Sequence, residues 1–208
     1  MKRINRFLYI GISLLVLFVG ETVFIQVKSL TACDHEPFIG CVYSDEIKLE
    51  TAKVTYVEYD VPTTINSSFK TYMDYRTVTN QNSKQYELIH NWGWSDDEGF
   101  MRCAGERDYD IWDDYYFIAL GSYYGTEIGA KYRITTDMGN VFYGILGDCK
   151  SDKHTNLTHQ YSFNNDIVEF IVDAKKLNKS VKYHGNANIY MPLNGSVTKI
   201  ERIDFIYE

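Results

Sequence analysis

Apolar and polar positions alternate with a period of two along most of this chain, the spacing of strands whose successive side chains point to opposite faces. In 53–61, Thr55, Val57, Tyr59 and Val61 share one face, Val54, Tyr56 and Glu58 take the other, and Pro62 ends the run. Across 68–79, Phe69, Thr71, Met73 and Tyr75 alternate with Lys70, Tyr72, Asp74 and Arg76. Runs at 85–89, 115–120, 130–136, 140–146, 166–172 and 197–207 complete the set, with Met138-Gly139-Asn140 as a tight turn. The acidic stretch 90–114 shows neither period and reads as a long loop, and one short helix is expected around 174–177. Six or more closely spaced strands with almost no helix predict an all-β barrel or sandwich, and periodicity does not choose between them.

The N-terminus follows a different pattern. Lys2, Arg3 and Arg6 precede an apolar run from Phe7 to Gly20 that resumes after Glu21 as "TVFIQV", 7–27 in all. That length suits a single transmembrane helix used as a signal-anchor, with residues 1–6 as its basic cytoplasmic end. A cleaved secretory signal has the same charged start, but no A-x-A site follows the run. A third reading takes "LTAC" as a lipoprotein box acylated at Cys33, although Gln26 and Lys28 break the apolar run before it. All three place the bulk of the chain outside the cytoplasm: a stalk with one strand over 28–63, then a domain over 64–208.

Composition sharpens the strand reading, since 18 Tyr and 11 Phe against 3 Pro suit half-buried pleated surfaces. A formal charge of −7 in 208 residues, with no basic stripe, argues against nucleic acid as a partner. An extracellular setting permits disulfides. Cys33, Cys41, Cys103 and Cys149 allow three pairings, of which 33–41 with 103–149 is the one expected. Cys149, His154 and His159 lack a close ligand pair, so no metal is expected.

The segments 68–88, 114–155, 167–173 and 195–203, with the succession "IALGS…IG…GD.K.D.HT…VEFIVD", resemble a Firmicute cell-envelope family of double-psi β-barrels. That family is itself similar to the three-aspartate, rare-lipoprotein-A and lytic transglycosylase A barrel domains. The resemblance covers about 64–206 and implies a six-stranded double-psi β-barrel with long loops. It also implies an aspartate ending one strand at an open groove, with a second acid on a neighbouring strand. These positions fall on Asp148 and Glu169, while the family's Asp-Thr-Gly-Gly turn is here Asp148-Cys149-Lys150-Ser151.

The chemistry implied is cleavage of peptidoglycan glycan strands without water, by one carboxyl that protonates the glycosidic oxygen and then takes a proton from the muramyl 6-hydroxyl. Such an acid must hold its proton near neutral pH, which burial or a second carboxylate favours. Asp148 facing Glu169 would meet both conditions. The competing account makes Asp148 a turn former and leaves Glu169 on a solvated outer face. Lys150 is a candidate for a peptide-stem carboxylate, and Asp152, His154 and Thr155 for sugar hydroxyls. The alternative for these four is a solvated loop with a weak Asp–Lys pair. Among the aromatics Trp92, Trp94, Trp112, Tyr115, Tyr116, Tyr123 and Tyr124, the two beside Gly121 and Gly125, Tyr123 and Tyr124, are expected exposed for stacking on sugar rings. No cofactor is implied. The rival class is a non-catalytic module that binds glycan or another envelope protein.

Overall fold

The computed structural model describes residues 53–103 and 115–205 with their side chains, and the backbone alone at 14–19, 22–27, 50–52 and 206–207. Contacts divide the chain into two units, Met1–Thr55 with Phe205–Glu208, and Tyr56–Asp204.

In the first unit β1 (Leu14–Val19) and β2 (Thr22–Val27) pair antiparallel, and β2 pairs with the start of β3 (Glu50–Tyr59). Within the segment expected as a helical anchor over 7–27, the described backbone is therefore extended, and the remainder lies outside the described residues. No helix among the described residues is long and apolar enough to cross a membrane. Cys33, Cys41 and most of the expected stalk also fall outside the described residues.

The second unit is mostly β-sheet. Its further strands are β4 (Thr71–Asp74), β5 (Gly93–Ser95), β6 (Met101–Cys103), β7 (Tyr116–Leu120), β8 (Lys131–Thr136), β9 (Val141–Cys149), β10 (Glu169–Val172) and β11 (Val197–Tyr207). They run in the order β3-β11-β8-β9-β7-β10-β4, with β5 and β6 as a hairpin against the start of β7. Two pairs, β7 with β9 and β10 with β4, are parallel, while β10 with β7, β8 with β9 and β8 with β11 are antiparallel. The sheet curls on itself: ahead of β4, the Ser67 hydroxyl donates to the Val197 carbonyl at 2.8 Å, and the Val197 amide to Ser67 at 3.4 Å. Lys70, wholly buried, fastens the same region by donating to Asn188 Oδ1 at 2.9 Å and to the Gly195 carbonyl at 2.5 Å.

Every residue of β7 is buried, which explains why "YFIAL" is a continuous apolar run rather than an alternating one. Tyr116, Ile118 and Leu120 join Tyr132, Ile134, Phe142, Leu146, Phe170 and Ile200 in the main core. Phe117, Ile145 and Ile171 are buried on the opposite face. A Cβ added at Gly93 would stand 2.5 Å from Phe117 and 3.0 Å from Met101, and one at Gly147 would stand 2.8 Å from Ile171 and 3.3 Å from Ile89. Residues 84–103 therefore cover this second face.

That cover corrects two expectations. Residues 85–89 are helical, not a strand: a short α-turn, Lys84–Tyr86, runs into a π-turn, Glu87–Trp92. Ser83 starts it, its hydroxyl accepting the Tyr86 amide at 3.1 Å. The expected loop over 90–114 contains β5 and β6, with 104–114 outside the described residues. The strand expected over 68–79 is only β4 followed by a 3₁₀ turn at Tyr75–Thr77. The helix expected at 174–177 stands instead at Lys179–His184, where Asn178 caps the Ser180 amide at 2.9 Å.

Candidate functional site

The register between β7 and β9 breaks once. Ile118 pairs with Leu146, yet the next residue, Ala119, pairs with Asp148, so Gly147 is the extra residue of a β-bulge. A slip of one residue exchanges the faces of a strand. Unbroken pairing would aim Asp148 with Leu120 into the main core, whereas the bulge turns it to the opposite face beside Ala119. A side chain at position 147 would press on the ends of Ile171 and Ile89, which must shift to admit it.

Glu169 of β10 is the partner of Ala119 on one side and of Thr71 on the other. Asp148, Ala119, Glu169 and Thr71 thus form a row across β9, β7, β10 and β4, with side chains on one face. The two acids are two strand spacings apart, about 9–10 Å between Cα atoms, with only a methyl group between them. Burial pushes the Glu169 carboxyl above the ordinary range, the Lys150 ammonium opposes this, and the charges of Asp166 and Asp148 push it further. Asp148 itself accepts the Cys149 amide at 2.9 Å, the local bond of a turn former, while remaining inside a strand.

Lys150 does not reach outward for a substrate carboxylate. Its ammonium lies 2.7 Å from Asp166 Oδ2 and donates to the Asp166 carbonyl at 2.9 Å, and the two side chains are 5% and 3% exposed. The Thr71 hydroxyl donates to the same carboxylate oxygen and the Thr71 amide approaches Oδ1 at 3.5 Å. Burial raises the Asp166 carboxyl, with Lys150 and Thr71 acting against that. The pair is therefore buried, and its acid is Asp166, not Asp152. Asp166 and Thr71 are the members of this cluster that sequence reasoning missed. The one available signal was an acid directly before the apolar pair Ile167-Val168.

The other candidates separate from this row. Asp152 and His154 lie on an exposed 3₁₀ turn, where Asp152 accepts the Ser122 hydroxyl at 2.7 Å. Thr155 is buried, bonded to the Asp152 carbonyl at 3.0 Å and to His159 Nδ1 at 2.9 Å, so it serves the loop rather than a ligand. Tyr123 is exposed as expected, whereas Tyr124 is wholly buried in the core against Tyr59 and Tyr132. Its adjoining glycine does not bring it to the surface. Tyr115 and Tyr116 are buried, and Trp92 and Trp94 are exposed. Trp112 lies outside the described residues.

The Cys103–Cys149 bridge is not formed, and Cys149 keeps its thiol. Arg102 pairs with Tyr116 and Cys149 with Leu120, so the two cysteines stand on either side of β7 and near opposite ends of it. That separation, about 10 Å across the sheet and more along it, exceeds what a disulfide spans.

An apolar groove of about 260 Å³ opens on the same sheet face, lined by Leu88, Trp92, Tyr115, Lys131 and Ile145. Among the described residues no three His, Cys, Asp or Glu are grouped to hold a metal ion. The carboxylate row can hold and exchange a proton, because Glu169 favours its neutral form beside a second acid. No family model, curated protein or solved structure matches the chain.

Proposed function

We propose that this is a membrane-anchored protein of the cell envelope whose outer domain acts on peptidoglycan glycan strands, with Glu169 and Asp148 as its acid/base pair. The observation that carries the reading is the placement of these two acids on one face, across Ala119. The acid/base role goes to Glu169 rather than Asp148, since the environment of Glu169 favours the neutral form. Glu169 protonates the glycosidic oxygen as the C–O bond breaks. Its carboxylate then takes the proton of the muramyl 6-hydroxyl, whose oxygen bonds to the anomeric carbon, and no water is consumed. Asp148 offsets the positive charge that develops on the sugar.

We read β4 and β7–β11 as a six-stranded double-psi β-barrel. Two parallel pairs and the contact of Ser67 with Val197 support this reading. The basic start and the apolar run over 7–27 support envelope attachment. A glycan-binding role without cleavage is the second reading, favoured by the exposed indoles of Trp92 and Trp94.

The test is digestion of purified peptidoglycan by the full chain in detergent, beside Glu169→Gln and Asp148→Asn. Anhydromuramyl products from the unmutated protein, lost in Glu169→Gln, are the expected result. Sedimentation of all three with the wall and release by none would replace cleavage with binding. Neither release nor sedimentation would point to a protein partner and end the glycan reading.

A further inference from the structure

We propose that Asp166 is a positioning residue of the carboxylate row: by holding the Lys150 ammonium and the Thr71 hydroxyl, it governs how strongly that cation acts on Glu169. This rests on reading Asp148 and Glu169 as an acid/base pair. It extends that reading to a residue that neither belongs to the row nor touches a reacting group.

The geometry runs through both flanks of the row. Lys150 follows Asp148 by two residues, just past the end of β9, and Thr71 is the register partner of Glu169. Asp166 bonds to both, taking two contacts from Lys150 and one from the Thr71 hydroxyl. Asp166 is itself fixed. Its carbonyl accepts the Ser162 amide at 2.9 Å and the Ser162 hydroxyl at 3.0 Å, and its amide donates to Asn164 Oδ1 at 3.2 Å. Asn165 turns the chain there with a left-handed φ of 67°.

A single buried ammonium thus acts on two acids, Asp166 and Glu169, and is held by the first. The charged groups acting on Glu169 are Lys150 and Asp148 at the end of β9 and Asp166 in the loop before β10, while β7 and β4 present only Ala119 and Thr71. While Asp166 holds the ammonium, its negative charge adds to the burial that raises the Glu169 carboxyl. Replacing Asp166 by a neutral amide removes that charge while its backbone carbonyl still accepts from Lys150, so the ammonium favours the Glu169 carboxylate unopposed by Asp166.

The experiment is a carbon-13 NMR titration of the Glu169 carboxyl in the full chain, which needs no substrate and reads the proton directly. Asp166→Asn is expected to lower the Glu169 midpoint by about one pH unit or more, and Asp166→Glu to return it toward the unmutated value. A merely structural role would lower the unfolding temperature of Asp166→Asn and leave the midpoint unchanged, which would overturn the proposal. Should Asp166→Asn fail to fold, Lys150→Met combined with Asp166→Asn leaves no unpaired buried charge. With the ammonium gone, its Glu169 midpoint is expected above that of the unmutated protein, and an equal or lower value overturns the proposal. Failure of peptidoglycan digestion, with these shifts observed, removes the substrate assignment and leaves the role of Asp166 standing.

Discussion

The Tyr132 hydroxyl donates to the Tyr124 carbonyl at 2.7 Å, while the Tyr124 hydroxyl, equally buried, finds no hydrogen-bond partner among the described residues. Two tyrosines in one core are thus in opposite situations. Leaving a hydroxyl desolvated and unbonded costs about 1–3 kcal/mol, whereas a made hydrogen bond contributes about 1 kcal/mol. Tyr124→Phe is therefore expected to stabilise the protein and Tyr132→Phe to destabilise it. Urea unfolding of the two variants in parallel checks the opposite signs.

Lys150→Met would leave the Asp166 carboxylate buried without its cation. Breaking one side of such a pair costs about 3–5 kcal/mol, while replacing both sides with apolar groups costs much less. The double variant Lys150→Met/Asp166→Leu is accordingly expected to recover most of the stability lost in Lys150→Met. Denaturation midpoints of the two variants and the unmutated protein give the coupling between the two sites.

Gly147→Ala tests the bulge. The new methyl would approach the ends of Ile171 and Ile89, side chains that can shift, so overpacking costs about 1–3 kcal/mol rather than preventing folding. Relief of the clash displaces β9 where it aims Asp148. Peptidoglycan cleavage is expected to fall further than stability does, as a comparison of product release with unfolding temperature would reveal.

Lys70 carries a pH dependence. Burial lowers its ammonium from 10.5 to about 8, with the charges of Asp137 and Asp166 opposing. Between those values the unfolded chain holds more protons than the folded one, so the Lys70 contribution to stability rises with pH there, and below pH 8 the full cost of burying the charge is present. The gain is about 2 kcal/mol between pH 8 and 10. Relative to Lys70→Met, the unmutated protein should become more stable over this range, measured by denaturant unfolding at each pH.

The strands at 115–120, 130–136, 140–146 and 197–207 were legible because they form the middle of the sheet, where period and burial agree. "QYELI" misled because a five-residue apolar run fits either a strand or a helical turn, and the deciding feature was the Ser83 cap before it. β5 and β6 escaped notice among acidic neighbours, since three-residue strands show no period. Within the site, Asp148 and Glu169 could be named from the sequence, but their alignment through Ala119 depends on a bulge that no local pattern announces. In the sequence Lys150 reads as a cation open to a peptide-stem carboxylate, or as one half of a weak solvated Asp–Lys pair. Its actual partner is 16 residues away, and only the return of the loop to β10 brings it near.

The hydrogen bond from Ser67 to Val197 joins positions 130 residues apart. Closing so long a stretch of chain precedes any reward from the contact, which places domains of this topology among the slower folders. β11 also lies between β3 and β8, so the sheet cannot be completed before the last strand has been made. The acids on β9 and β10 are therefore synthesised well before the framework that aligns them exists. Acquisition of the native site should lag behind the synthesis of β11, and until then the apolar strands of the core remain open to wrong partners.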